Sequence, residues 1–181
     1  MASYWSPPEI EESRLAEARD CVGSSLGESS NILFFISKSS NKNFTYYEYY
    51  ETDESFGITP QWAMLENRGA CGQVPREELT MTEHLLLGVN VTTRPSGTIS
   101  VNFNPEQIRS REAELILDAA GKPALVGMVD GHTCRLLQAY VQMRKNLLPD
   151  VEYITLYGRG LSDGKVYKER MENAGTKASW M

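Results

Sequence analysis

The chain is short of almost everything from which reactive sites are built. It has 2 histidines and 3 cysteines in 181 residues, and no CxxC, HxxxH or HExxH spacing groups them. A structural zinc site needs four nitrogen or sulfur ligands, so no metal and no cofactor is expected. Long apolar runs are missing too. No stretch approaches the roughly 20 residues that cross a bilayer as a helix, and no membrane insertion is expected. Nor is there a block of Lys and Arg. The 18 basic residues are scattered among 24 acidic ones, for a formal charge of −6 and a pI near 5.0. Nucleic-acid partners select clustered positive charge, so none is expected.

Cys21, Cys71 and Cys134 are odd in number and far apart in sequence. That usage predicts reduced thiols rather than a disulfide framework. The start, MASYWSPPEIEESRL, has neither a basic n-region nor an apolar h-region. Together these predict an intracellular, cytoplasmic protein. The sequons at Asn43 and Asn90 then read as chance matches. A hydrophobic content of 41% suits one globular domain at this length.

What is present reads as strands. Residues 1–30 stand apart as an arm: Trp5-Ser6-Pro7-Pro8 leads into EIEESRLAEARDCV, in which Ile10, Leu15 and Ala18 share a helical face. GSSLGESS then reads as a linker. From Asn31 the runs NILFFISKS, NFTYYEYYE and ITPQWAMLE are rich in β-formers. PREELTMTEHLLLG has helical spacing and predicts one short internal helix ending near Gly88. Beyond it, Val89, Val91 and Thr93 alternate with polar residues, Pro95-Ser96-Gly97 turns, and Ile99, Val101 and Phe103 alternate again. Asp130-Gly131 is a strong signal for a two-residue hairpin turn. VEYITLYG and KVYKERM pair across a loop containing Asp163-Gly164. Short strands joined by tight turns predict a mainly β domain over 31–171, an antiparallel sandwich or barrel, with a tail at 172–181.

His132 and Cys134 lie two apart on the strand that leaves the Asp130-Gly131 turn, and so share a face. A cysteine nucleophile needs a nearby base, an oxyanion site and an orienting group. Same-face neighbours are about 7 Å apart along the backbone, and no adjacent residue supplies the other parts. Alternation puts Cys134, Leu136, Gln138 and Tyr140 on one face, with Cys134 a small buried hydrophobe. Gly158-Arg159-Gly160 is too short for a phosphate loop and reads as a bend. Alternation sends Tyr46-Tyr47-Glu48-Tyr49-Tyr50 to both faces, leaving one set for display.

NILFFISKSSNKNFTYYEY, Trp62 with Met64-Leu65-Glu66, LTMTEHLLLGVNV and RLLQAYVQMRKNLLPDVEYITLYGRGLSDGKVYKERM together resemble the domain of unknown function 4833 family. The resemblance runs from about Asn31 to Met171. Its sharpest parts are Asn41-Lys42-Asn43 before Tyr46-Tyr47, and PDVEYITLYGR before Gly164. It implies a compact, mostly β domain and assigns no catalytic residue.

The expected role is therefore non-enzymatic: a structural or interaction module anchored by its arm in a larger protein assembly, such as a cytoskeletal or ciliary array. Tyr4, Trp5, Ile10, Leu15, Tyr47 and Tyr49 are the candidate partner contacts. The alternatives are a β-barrel carrier of a small ligand and, behind it, a cysteine-dependent enzyme using Cys134 and His132.

Overall fold

The structure, a computed structural model, describes residues 8–24, 31–63, 76–81, 88–103, 111–144 and 150–172. One helix, α1 (Pro8–Ser24), precedes strands β1 (Ile32–Lys38), β2 (Phe44–Glu51) and β3 (Phe56–Ala63). They are followed by β4 (Arg76–Glu78), β5 (Val89–Thr93), β6 (Ile99–Phe103), β7 (Glu112–Leu117) and β8 (Pro123–Val129). The chain closes with β9 (His132–Arg144), β10 (Asp150–Gly160) and β11 (Val166–Glu172). All belong to one sheet that is nearly closed into a barrel. The mainly β reading of the sequence holds.

The organising strand is β9. Along one edge its first residues pair antiparallel with β8, from Val129↔His132 to Val126↔Arg135. Further along the same edge it pairs parallel with β1, from Phe35↔Gln138 to Lys38↔Val141. Its other edge takes β10, which takes β11. Two wings thus hang from a single edge, β1 to β4 on one side and β8 to β5 on the other. The parallel β1–β9 pair is an exception to the antiparallel pattern expected.

A bulge falls at the changeover between wings. Opposite β10 the register steps from Tyr157↔Gln138 to Gly158↔Leu136, leaving Leu137 as the extra residue. An extra residue reverses the alternation of side chains beyond it. Cys134 and Leu136 face the inner core, but so do Ala139 and Val141, while Tyr140 belongs to the opposite face. The single face predicted for Cys134, Leu136, Gln138 and Tyr140 is corrected by that reversal.

The wings close on an aromatic centre. Phe34 of β1 and Tyr47 of β2 meet Phe103 of β6 with ring centroids 5.3 Å away in both cases. Leu125, Val129, Leu136 and Ile154 fill in around them. A small barrel is commonly filled by its own side chains, and among the described residues this cluster occupies the interior.

The hairpin turns form where the sequence places them. Asp130 and Gly131 have φ of 49° and 75°, the paired positive values of a type I′ turn. Nothing crowds Gly131, so its cost to other residues is purely backbone strain. Gly131→Val should destabilise the protein by about 1–3 kcal/mol, read from denaturant or thermal unfolding, with an unchanged midpoint contradicting the assignment.

Two local expectations give way. Residues Arg76–Glu78, inside the segment read as an internal helix, form an edge strand against Gln61–Ala63. Pairing with an available sheet edge outweighs helix propensity there; residues 82–87 of that segment lie outside the described residues. Gly158-Arg159-Gly160 is not a bend but the end of β10, paired to Leu136, Arg135 and Cys134.

Helix α1 lies on the face of the sheet opposite the inner core. Leu15, Ala18 and Cys21 are buried against Phe35, Phe44, Tyr46, Tyr140, Tyr153 and Tyr157. Spacings of three place these helix residues on one face. Glu11 accepts a hydrogen bond from the Tyr157 hydroxyl, and Glu17 pairs with Lys42 at 3.2 Å. Cys21 is disulfide-bonded, its partner lying outside the described residues, whereas Cys134 is a free thiol. The expectation of reduced cysteines throughout fails at Cys21, because folding brings together residues whose sequence separation carries no such signal.

Candidate functional site

The inward positions of β8 and β9 (Leu125, Val129, Cys134 and Leu136) leave Val126 and Arg135 facing outward. Register then draws one row across five strands: Glu114↔Val126, Val126↔Arg135, Arg135↔Arg159 and Arg159↔Val166. Two arginines stand directly opposite each other, where Cβ atoms are about 4.5–5.5 Å apart and like charges are unfavourable. Among the described residues Arg135 has one counterion, Asp118, whose Oδ2 stands 4.0 Å away. The other oxygen of that carboxylate, Oδ1, serves the β7–β8 turn, accepting from the backbone N–H groups of Lys122 and Ala120 at 2.9 Å. These contacts, led by the Lys122 N–H, hold Asp118 below the usual carboxylate range. Arg159 donates to the Gly164 carbonyl at 3.2 Å.

The pair has an apolar frame. Val166 is 56% exposed, Leu161 55% and Met128 47%. The Leu161 N–H donates to the Thr133 carbonyl at 3.0 Å, and Met128 pairs with Thr133 across the hairpin. All three apolar side chains therefore border the arginine row.

The β10–β11 loop supports this end of the sheet. Asp163 accepts from the Tyr167 hydroxyl at 2.6 Å and from the Lys165 N–H at 3.0 Å. The Tyr167 bond comes first among the causes that lower its pKa and raise that of the phenol. The Tyr167 ring is packed on one side by His132, stacked at 3.8 Å and 14°. Gly160 lies close as well: a Cβ there would fall 2.8 Å from Tyr167 Cε2 and 2.4 Å from Asp163 Oδ1.

His132 and Cys134 are not brought together as a nucleophile and base. His132 is exposed, stacked on Tyr167, with Nδ1 2.8 Å from the Asp130 carbonyl. A carbonyl only accepts, so that ring nitrogen is the donor. Cys134 is fully buried; burial first, and the Asp163 charge second, push its thiol up. A reactive cysteine requires the opposite shift. Alkylation of native Cys134 at neutral pH should be on the order of 100-fold slower than in denaturant; comparable rates, followed by mass spectrometry, would contradict the buried assignment.

Of the partner contacts expected from sequence, Leu15 is covered by the sheet and Tyr47 sits in the inner core. Both are fully buried, because the sheet carrying Tyr46 and Tyr47 is covered on both faces. Tyr49 is half-buried and donates to Glu51 at 3.2 Å. Tyr4, Trp5 and the Ile10 side chain lie outside the described residues. Sequence reasoning passed over Arg135 and Arg159. The visible signal was an Arg flanked by glycines in a strand-like context; their juxtaposition depends on the bulge at Leu137.

An eleven-strand, nearly closed sheet with a filled interior and one docked helix defines a small barrel-like β-domain protein among the described residues. Residues 34–170 match the family described as Domain of unknown function (DUF4833), and the chain belongs to it. No curated protein and no solved structure matches the chain.

Proposed function

We propose that the protein is a non-enzymatic interaction module that works by binding other proteins within a larger assembly. The observation that carries this reading is the solvent-facing cluster of Met128, Leu161 and Val166 around the β8–β9 and β10–β11 hairpins. Exposed apolar residues grouped on a rigid, well-hydrogen-bonded surface are the usual anchors of a protein contact. The filled interior, with Phe34, Tyr47 and Phe103 at its centre, favours this over a carrier, whose strands enclose a cavity for the ligand. The role is tested by purifying the tagged protein from its native source under mild conditions. A stable, stoichiometric set of co-purifying proteins is expected. A single-species fraction carrying a small metabolite would sink the reading in favour of a carrier.

A further inference from the structure

We propose that the Arg135–Arg159 pair, with Val126, Val166, Leu161 and Met128 around it, is a recognition site for an acidic segment of a protein partner. The inference rests on the interaction-module reading and names the chemistry of its partner. Its starting point is an unfavourable arrangement. Two guanidinium groups occupy directly opposed positions on adjacent strands, in a chain whose formal charge is −6. Like charges so placed repel, and among the described residues the one carboxylate paired with Arg135 is Asp118, whose Oδ2 stands 4.0 Å away while its Oδ1 serves the turn.

The charged groups on the flanking strands leave this deficit in place. Glu114 closes the row one strand beyond Val126. Lys168 lies beyond Val166 on the same exposed side of β11, and Asp163 is turned toward Tyr167 and Lys165. Arginine forks match carboxylates with two parallel N–H···O bonds. Two forks side by side suit successive acidic side chains of an extended segment. The valines, Leu161 and Met128 offer contact for apolar residues between them, and this is why a protein segment fits better than a bare polyanion. Nucleic acid needs a broader positive surface than one arginine pair.

The test uses the full chain and a fluorescein-labelled peptide alternating glutamate and leucine, with binding followed by anisotropy. Arg159→Gln should weaken binding by about 10-fold or more, the scale of a charged hydrogen-bonded contact, and Arg135→Gln with Arg159→Gln should abolish it. Affinity should fall as salt rises, since exposed charges are screened. Arg19→Gln, on the helix, should change nothing. The single variant should melt no lower than the parent, because a like-charge neighbour has been removed. Peptide affinity unchanged in the double variant, or tighter binding of a single-stranded oligonucleotide than of the peptide, would overturn the proposal. So would a fall in Tm with affinity intact, which would make the pair a contact of the fold. A native assembly that survives the double substitution would likewise overturn it, while leaving the interaction-module reading standing.

Discussion

Reducing the disulfide at Cys21, or replacing that residue with Ser, is expected to loosen helix α1 from the sheet. The helix docks through few apolar groups, chiefly Leu15, Ala18 and Cys21. A fully buried leucine is worth about 2 kcal/mol and alanine less, against the cost of ordering an isolated helix that is marginal in water. Two buried polar atoms oppose docking further: among the described residues Arg14 Nε and Glu17 Oε2 donate or accept no hydrogen bond, Oε2 being held only by the Arg14 ion pair at 3.5 Å. Unsatisfied buried groups cost about 1–3 kcal/mol each. Beside the Tyr157–Glu11 hydrogen bond and the Glu17–Lys42 pair, a cross-link contributing about 2–4 kcal/mol is then a large part of what holds the helix. For a domain of this size that corresponds to a Tm roughly 5–15 °C lower on reduction. Trypsin should spare Arg14 and Arg19 in the oxidised protein and cut there at least about 10-fold faster after reduction. Equal Tm and equal protection with and without a dithiol reductant would show that packing alone holds the helix. Cys134→Ser should leave the response to reductant as it is, because Cys134 has no part in the bond.

Gly158 is the second position where a small change should have a large effect. It follows the bulge, facing the inner core where β10 crosses β9. A Cβ there would fall 2.6 Å from Cys134 Cβ and 2.9 Å from Val129 Cγ2, with the Arg135 carbonyl at 3.3 Å. Cys134 Cβ is fixed to the backbone of a paired strand and cannot rotate away. Gly158→Ala should therefore cost about 2–3 kcal/mol, at the upper end of overpacking effects, and Gly158→Val more. A double-mutant cycle identifies the cause: Cys134→Gly should recover part of the loss in Gly158→Ala, whereas Val129→Ala alone should not. If Gly158→Ala unfolds at the parent's denaturant midpoint, β10 does not approach β9 this closely.

The two predictions divide along what a sequence can disclose. The hairpins were legible because their signals are local: Asp130-Gly131 and Pro95-Ser96-Gly97 name turns, and alternation names the strands beside them. The helical face of Leu15 and Ala18 was legible too, but not what it would cover. The bulge at Leu137 has no local signature; it lies where β9 exchanges one neighbour for another along its opposite edge. From it follow the reversed faces of β9, the close approach at Gly158 and the opposition of Arg135 to Arg159. The candidate site was therefore the least legible feature, being a product of register rather than of residue type. The disulfide belongs with it, as a pairing that only the folded chain specifies.

The parallel seam between β1 and β9 also imposes an order of events on the nascent chain. Phe35 and Ser37 wait for Gln138 and Tyr140, which leave the ribosome only after two wings' worth of sequence has been made. Until then the β1–β2–β3 meander presents an unsatisfied inner edge and the uncovered apolar side chains of Leu33, Phe34 and Ile36. Contacts of such long sequence separation slow folding, and open strand edges invite pairing with other chains. Co-translational chaperone engagement should be heaviest while β5 to β8 are being synthesised, and should lapse once β9 has emerged to join the two wings.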